Sequence, residues 1–316
     1  LAELQEGVVN SLKIAVRAYA SCNANRDGVA LAPVPGLVMK YLEAPGQDLH
    51  AISRPMIILV LQGAKRLIAG KEEQIFSAGQ SLVISADMPI VSRVLQASLS
   101  EPYMAIGVEL EMALLRELAV HLGGVAVQHS SRTRRLFEVN TEAAAVDCAM
   151  RLMRLIDTPE AVPLLRPGIM QELHYWLLSG KHGSHLRALA DPTSHASRLG
   201  AAVAILRADY RSHISVEHLA TAAGMSLSAF HKYFKLMTSV TPVQYQKRLR
   251  LIEARRLMIE QGLSASAAAF DVGYESVSQF TREYGRLFQA PPKRDTLRLR
   301  ETSWKNRCAA LGSKGR

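Results

Sequence analysis

The sequence predicts an α+β protein in two parts, a front half of short strands followed by helices and a rear part that is all helix. Three observations predict it. Seven short β-leaning segments separated by Gly, Pro and Asp signals lie between Leu37 and Glu109. A pattern of apolar, capping and glycine residues then occurs twice in the last third. The positive charge is confined to that same last third.

The chain has 316 residues, 48% of them hydrophobic and 21% charged. That is enough for two domains, each with its own core. No apolar run approaches the roughly 18 residues that a membrane helix requires. The segment LAELQEGVVNSLKIAVRAYA is amphipathic and carries Glu3 and Glu6, so neither a membrane segment nor a targeting peptide is expected. The expected place is the cytoplasm, with nucleoid association. Cys22, Cys148 and Cys308 form neither a CxxC pair nor a ligand cluster, which predicts unpaired thiols in a reducing compartment.

Strands are predicted at Leu37 to Glu43, Met56 to Gln62, Arg66 to Ala69, Glu72 to Phe76, Ser81 to Ser85, Ile90 to Gln96 and Tyr103 to Glu109. Gly70-Lys71 marks a hairpin and Ser77-Ala-Gly-Gln80 another turn. Many short strands with close turns suggest a small barrel or sandwich. Helices should follow at Met112 to Leu122, Thr141 to Ile156, and Pro167 to Ser179, stopped by Gly180. The stretch from Lys181 to Ser194 gathers Gly, Asp-Pro and Ser-His signals and reads as a linker.

Residues 1–194 hold 18 Lys and Arg against 19 Asp and Glu, whereas residues 195–316 hold 20 against 9. The rear part alone is therefore suited to a polyanion. Ile214, Ser215, Ala220 and Gly224 recur 49 residues later as Leu263, Ser264, Ala269 and Gly273. Phe230, Phe234 and Pro242 recur 50 residues later as Phe280, Tyr284 and Pro292. Each serine can cap a short helix, each alanine permits close helix crossing, and each glycine supplies a turn. The aromatic i, i+4 pairs fix the buried face of a second helix. This is the order of a helix-turn-helix unit, written twice.

In such units the second helix enters the major groove, and its exposed positions read the bases. These are Ser228, His231, Lys232 and Lys235 in the first unit, and Ser278, Gln279, Thr281, Arg282 and Arg286 in the second. Arginine can grip guanine with two bonds and glutamine can grip adenine likewise, which singles out Arg282 and Gln279. Between the units Thr241 caps a helix that starts at Pro242 and ends before Gly262. It should span about 28 Å, close to one turn of DNA. Lys247, Arg248, Arg250, Arg255 and Arg256 line its polar side. Lys247 and Arg250 are the expected phosphate contacts, while Arg255 and Arg256 equally suit pairing with Glu253 or other acids.

The strings RLRLIEARRLM and DVGYESVSQFTREYGRLFQAPPKRD resemble the DNA-binding domain of AraC/XylS-family transcription regulators over about Ala196 to Arg300. Asp295 stands where that family commonly has tyrosine, and Ser266 to Phe270 is plainer than the family's usual isoleucine-rich helix. VPGL, IILVLQGAKRLIAG, FSAGQSLVIS-ADMPI and EPYMAIGVEL resemble the cupin-like sensor of an AraC subfamily, from about Pro35 to Arg187.

The resemblance implies a regulatory and dimerisation domain at 1–190, with a cupin-like barrel at about 35–110 and helices at about 111–180. A DNA-binding domain follows at 194–300, its helix-turn-helix units at about 214–237 and 263–288 and its linker helix at 242–261. A basic tail closes the chain at 301–316. The implied partners are double-stranded DNA, a second copy of the chain, a small-molecule effector, and RNA polymerase if the protein activates; no membrane and no cofactor are implied.

Two readings compete with a ligand-gated regulator. A cupin-type metal enzyme requires two histidines one residue apart, and no such pair exists in the chain; His50 stands at a strand edge, and His182 and His185 lie in a short connection. No nucleophile elbow or P-loop is present either, so no catalytic or metal residue is expected. Control by protein contact needs no ligand. If the barrel does hold one, Tyr41, Arg93 and Tyr103 combine aromatic surface with an anion-binding group. The helices at 141–156 and 167–179 are candidates for a dimer seam, the first through Ala145, Cys148, Ala149, Leu152 and Leu155, which equally suit an internal core.

Overall fold

Near-continuous apolar runs along the central strands generate a front unit in which one sheet has both faces covered. A computed structural model describes residues 2–122, 136–140, 142–180, 183–191 and 194–299. His182, Cys308 and the 301–316 tail lie outside the described residues. The chain divides into Leu1–Leu199 with Leu236–Ser239, and Gly200–Lys235 with Val240–Arg316.

The first unit begins with α1 (Ala2–Asn23) and continues through β1 (Val29–Leu31), β2 (Leu37–Leu42), β3 (Leu49–Ser53), β4 (Met56–Gln62), β5 (Ala64–Ala69), β6 (Glu72–Ser77), β7 (Gln80–Ile84), β8 (Met88–Gln96) and β9 (Tyr103–Glu109). Then come α2 (Met112–His121), β10 (Leu136–Asn140), α3 (Ala143–Arg154), α4 (Val162–Ser179) and α5 (Gly183–Ala190). The strands form a six-stranded sheet, ordered β1-β2-β9-β4-β7-β10, and a four-stranded sheet, ordered β3-β8-β5-β6. Every pairing is antiparallel. Gly70, at φ +65°, makes the tight β5–β6 turn expected of it.

Strand parity sorts the side chains into two cores. Leu37, Met39 and Tyr41 of β2, Ile57 and Leu59 of β4, and Met104, Ile106 and Val108 of β9 point away from the second sheet. They pack with Leu12 and Val16 of α1, Leu115 of α2, and Leu152, Met170 and Leu173 of α3 and α4. The other face of β9, with Tyr103 and Ala105, joins Val60, Leu67, Phe76, Leu82, Ile90 and Val94 in the space between the sheets.

The same parity corrects the predicted ligand pocket. Tyr41 pairs with Met104 and faces the helices, whereas Tyr103 pairs with Leu42 and faces the second sheet. Arg93 pairs with Arg66 on the outer face of β8, is exposed, and donates to the carbonyl of Gly46 at 3.1 Å. Successive strand residues alternate faces, so the three do not converge.

Two helix expectations also change. Pro167 lies inside α4, which starts at Val162, because buried Ile169, Met170, Leu173 and Leu178 hold the helix across the missing N–H. Ala145, Cys148, Ala149, Leu152 and Leu155 all belong to the internal core, so that face of α3 is occupied within the chain. Burial pushes the Cys148 thiol up to about 11, the behaviour of a packing cysteine rather than a reactive one.

The helices that follow are α6 (His195–Ala208), α7 (Val216–Ala222), α8 (Leu227–Thr238), α9 (Pro242–Glu260), α10 (Ala265–Asp271) and α11 (Val277–Phe288), with a last helical stretch at 292–299. Among the described residues no helix is long and apolar enough to cross a membrane.

Candidate nucleic-acid interface

The two repeats fold as equivalent short-helix, turn, long-helix units. Ser215 Oγ accepts the backbone N–H of His218 at 3.1 Å, and Ser264 Oγ accepts that of Ala267 at 3.1 Å. Both are N-caps, satisfying donors that a helix start leaves unpaired. Gly224 and Gly273 turn the chain at φ +59° and +89°. At Gly273 a Cβ would meet the carbonyl oxygen of Arg211 at 2.0 Å, so only glycine fits. The next helices are capped by Ser226 on Ala229 and by Ser276 on Gln279.

Aromatic pairs decide which face of each second helix is buried. Phe230 and Phe234 of α8 stack at 5.4 Å between centroids, and Phe280 and Tyr284 of α11 at 5.5 Å, all four fully buried. Ser228, His231, Lys232 and Lys235 are consequently exposed along α8, and Ser278, Thr281, Arg282 and Arg286 along α11. Gln279 is half-buried. Among the described residues no ion pair engages Lys235, Arg282 or Arg286.

The long helix α9 carries a capping box, in which Thr241 Oγ1 accepts the N–H of Gln244 and the Gln244 side chain accepts that of Thr241. Its basic residues have three distinct surroundings. Lys247 Nζ lies 2.6 Å from Glu283 Oε1 of α11. Glu283 also accepts the Tyr274 hydroxyl at 2.8 Å and Gln279 Nε2 at 3.2 Å. Burial pushes this carboxyl up, but the bonds from Lys247, Tyr274 and Gln279 prevail and hold it below the usual range.

Arg250 is placed differently from the phosphate contact the sequence suggested. Its guanidinium donates to the carbonyls of Tyr210 at 2.7 Å, Arg211 at 3.1 Å, Ser212 at 3.0 Å and Gly273 at 2.8 Å. Its donors are therefore spent on backbone, fastening the chain ahead of the first unit to the turn of the second. Gln246 reinforces that grip on Tyr210 and Ser212. Arg248 is half-buried, and desolvation lowers its pKa.

Arg255 pairs with the fully buried Asp295 at 2.8 Å, which also accepts the Tyr284 hydroxyl at 2.8 Å and Arg298 at 3.2 Å. The Arg255 guanidinium lies 4.5 Å from the Phe288 ring centroid. Arg256 bridges Glu253 and Glu260, each at 2.7 Å. Glu283 and Asp295 were not legible as hubs in the sequence, because the α9 cations they hold, Lys247 and Arg255, stand 36 and 40 residues away. The unusual aspartate at 295 was the one visible signal.

Comparison with known proteins bears on both units. A family model described as "AraC-type transcriptional regulator N-terminus" matches residues 33–185, and one described as "Helix-turn-helix domain" matches residues 219–297. The chain is 31% identical over 98 residues to the HTH-type transcriptional activator RhaS of Escherichia coli O139:H28, and 29% identical over 103 residues to that of Klebsiella pneumoniae strain 342. These stretches cover 31% and 33% of this chain, and it spans 35% and 37% of the length of those curated relatives. The fold is shared with an apo lysine-to-alanine variant of ToxT from Vibrio cholerae strain SCE256, at a TM-score of 0.56 and 11% identity over 84% of this chain and 98% of that one. ToxT from the same strain with unsaturated fatty acid bound gives 0.56 and 10% over 83% and 95%. With its front half matching the regulators' own N-terminal family and its rear part matching their helix-turn-helix domain, the chain belongs to the AraC-type transcriptional regulators.

Proposed function

We propose that the protein is a sequence-specific DNA-binding transcription regulator that lays α8 and α11 into successive major-groove segments. The observation that carries this is the pair of capped units whose aromatic faces are buried while Lys235, Arg282 and Arg286 stand exposed on their second helices. Ser228, His231, Lys232, Lys235, Ser278, Gln279, Thr281, Arg282 and Arg286 form the proposed contact surface, with Lys247 at its edge. Arg250 is assigned to holding the units together.

On this reading residues 1–190 regulate and dimerise, and 194–300 bind DNA from within the cytoplasm, in association with the nucleoid. The RhaS relatives are named activators, which supports activation and hence contact with RNA polymerase. The fatty-acid-bound ToxT of like fold supports a small-molecule effector in the front unit. A homodimer is proposed through α4, whose Leu164, Leu165, Tyr175 and Trp176 are exposed. Catalysis has no part in this reading, since the strands supply no paired histidines.

The test is selection of bound fragments from the genomic DNA of the source organism, followed by anisotropy titration over a range of salt. A specific site should bind about 10³-fold or more tighter than random duplex, with affinity falling steeply as salt rises. Equal affinity for both would overturn the reading.

A further inference from the structure

Three donors, Lys40, Lys65 and Tyr103, lie on the faces that the two sheets of the front unit turn toward each other. Lys65 of β5 pairs across the sheet with Phe76 and with Val94, both core residues of the inter-sheet space. Its side chain therefore shares their inward face. Lys40 of β2 pairs with Ala105, on the inward face of β9, and Tyr103 stands two residues away on that same face.

The strands come together at one end of the barrel. A Cβ on Gly46 would lie 3.6 Å from Leu42 and 3.9 Å from Val94, so this glycine runs between the end of β2 and β8. Gly63, at φ +76° in the β4–β5 turn, sits so near the Tyr103 ring that a Cβ there would be 3.2 Å from it. Lys65 begins two residues after that turn.

The polar groups gathered there are poorly satisfied. Tyr103 is fully buried, and its hydroxyl has no hydrogen-bond partner among the described residues. Lys65 has no hydrogen bond or ion pair among them either, and the nearby charge that acts on it is the like charge of Lys40. Lys40 donates to the backbone carbonyl of Asp27. Desolvation holds Lys40 down to about 8 against the pull of nearby Asp27 and, with the repulsion from Lys40, holds Lys65 down to about 7, while burial keeps the Tyr103 phenol protonated. A buried donor without an acceptor, as at Tyr103, is costly and calls for an explanation.

We propose that this end of the barrel, bounded by Lys40, Lys65 and Tyr103, binds an organic anion through its carboxylate, with the apolar body of the ligand lying against Leu42, Phe76 and Val94. A carboxylate is acceptor-only and has two oxygens, so it can take the Tyr103 hydroxyl and an ammonium together while balancing the lysine charge. The apolar neighbours favour an organic body over a hydrated inorganic ion. The site rests on the effector reading above and gives it a chemical class.

Calorimetric titration of the full chain tests it, with hexanoate, benzoate and decanoate as probes, hexanol and benzyl alcohol as uncharged counterparts, and inorganic phosphate for comparison. At least one carboxylate should bind, and its alcohol should bind about tenfold or more weakly. Lys65→Met and Tyr103→Phe keep the shape of the site and should each lower carboxylate affinity by about tenfold. If Lys65→Met does not fold, Tyr103→Phe decides, since it removes a single oxygen. No carboxylate binding, equal binding of the alcohols, phosphate binding alone, or unchanged affinity in the variants would each overturn the site. DNA titrations on the same preparations judge the regulator reading separately.

Discussion

Lys247 and Glu283 are joined at 2.6 Å, tying the long helix α9 to the second reading helix α11. The carboxylate at the centre of this contact also receives Tyr274 and Gln279. Replacing it strands a half-buried network rather than one exposed pair. Glu283→Ala should cost about 2–3 kcal/mol in urea denaturation, and Lys247→Ala less, because the lysine is partly exposed. Equal, negligible losses would show that the network adds nothing.

Arg282→Ala tests the proposed reading face. It should cost about 1–3 kcal/mol on a specific site and relax preference at a single base pair, with stability unchanged. Anisotropy titrations against single-pair variants of the selected site check this. A uniform loss on every sequence would make Arg282 a phosphate contact instead.

Arg250→Met should behave in the opposite way. Four backbone carbonyls lose the guanidinium, although Gln246 still reaches those of Tyr210 and Ser212, so stability should fall by about 1–3 kcal/mol. At temperatures where the variant is folded, the slope of DNA affinity against salt should stay as in the parent chain, since no phosphate contact is removed. A slope reduced by about one would return Arg250 to the DNA surface.

Asp295→Ala removes the buried acceptor of Arg255, Tyr284 and Arg298. Breaking a buried pair on one side leaves a charge without compensation, so a loss of about 3–5 kcal/mol is expected in thermal or urea unfolding. A loss below about 1 kcal/mol would place the aspartate in solvent.

Lys65 predicts a pH signature. Its ammonium is lowered from 10.5 to about 7, by burial first and by Lys40 second. Between those values the unfolded chain holds a proton that the folded chain does not, so the lysine's contribution to stability rises with pH across that window. Below it both states are charged and the burial cost is felt in full. The stability of the parent chain relative to Lys65→Met should therefore improve from pH 7 to pH 10. A flat difference would mean that the ammonium is hydrated.

What could be read from the sequence was what is local or periodic. Serine caps, turn glycines and aromatic pairs four residues apart lie within one unit, so Ser215, Gly224, Phe230 and Phe234 announced their roles directly. The strands β2, β4 and β9 followed from short β-leaning runs set between Gly, Pro and Asp signals. The short β1, β3 and β10 were missed because VAL, LHAIS and LFEVN gain their pairing from distant neighbours rather than from their own pattern. The face of each strand was equally hidden, which is why Tyr41, Arg93 and Tyr103 were grouped and Lys40 and Lys65 were not. A charged residue on an inward face breaks the binary pattern, and only the register of β2 and β5 reveals it. Arg250 looked like a surface cation because its acceptors are carbonyls, which no side-chain sequence displays.

The grip of Arg250 on residues 210–212 and on Gly273 also has a mechanical side. One guanidinium fastens the approach to the first unit and the turn of the second to the same helix. If both units read DNA, they do so as a caliper of fixed opening rather than as two independent fingers. An operator lengthened by one base pair between its two contacted segments would rotate the far groove by about 34–36°, and the protein has no slack hinge at Arg250 with which to follow it.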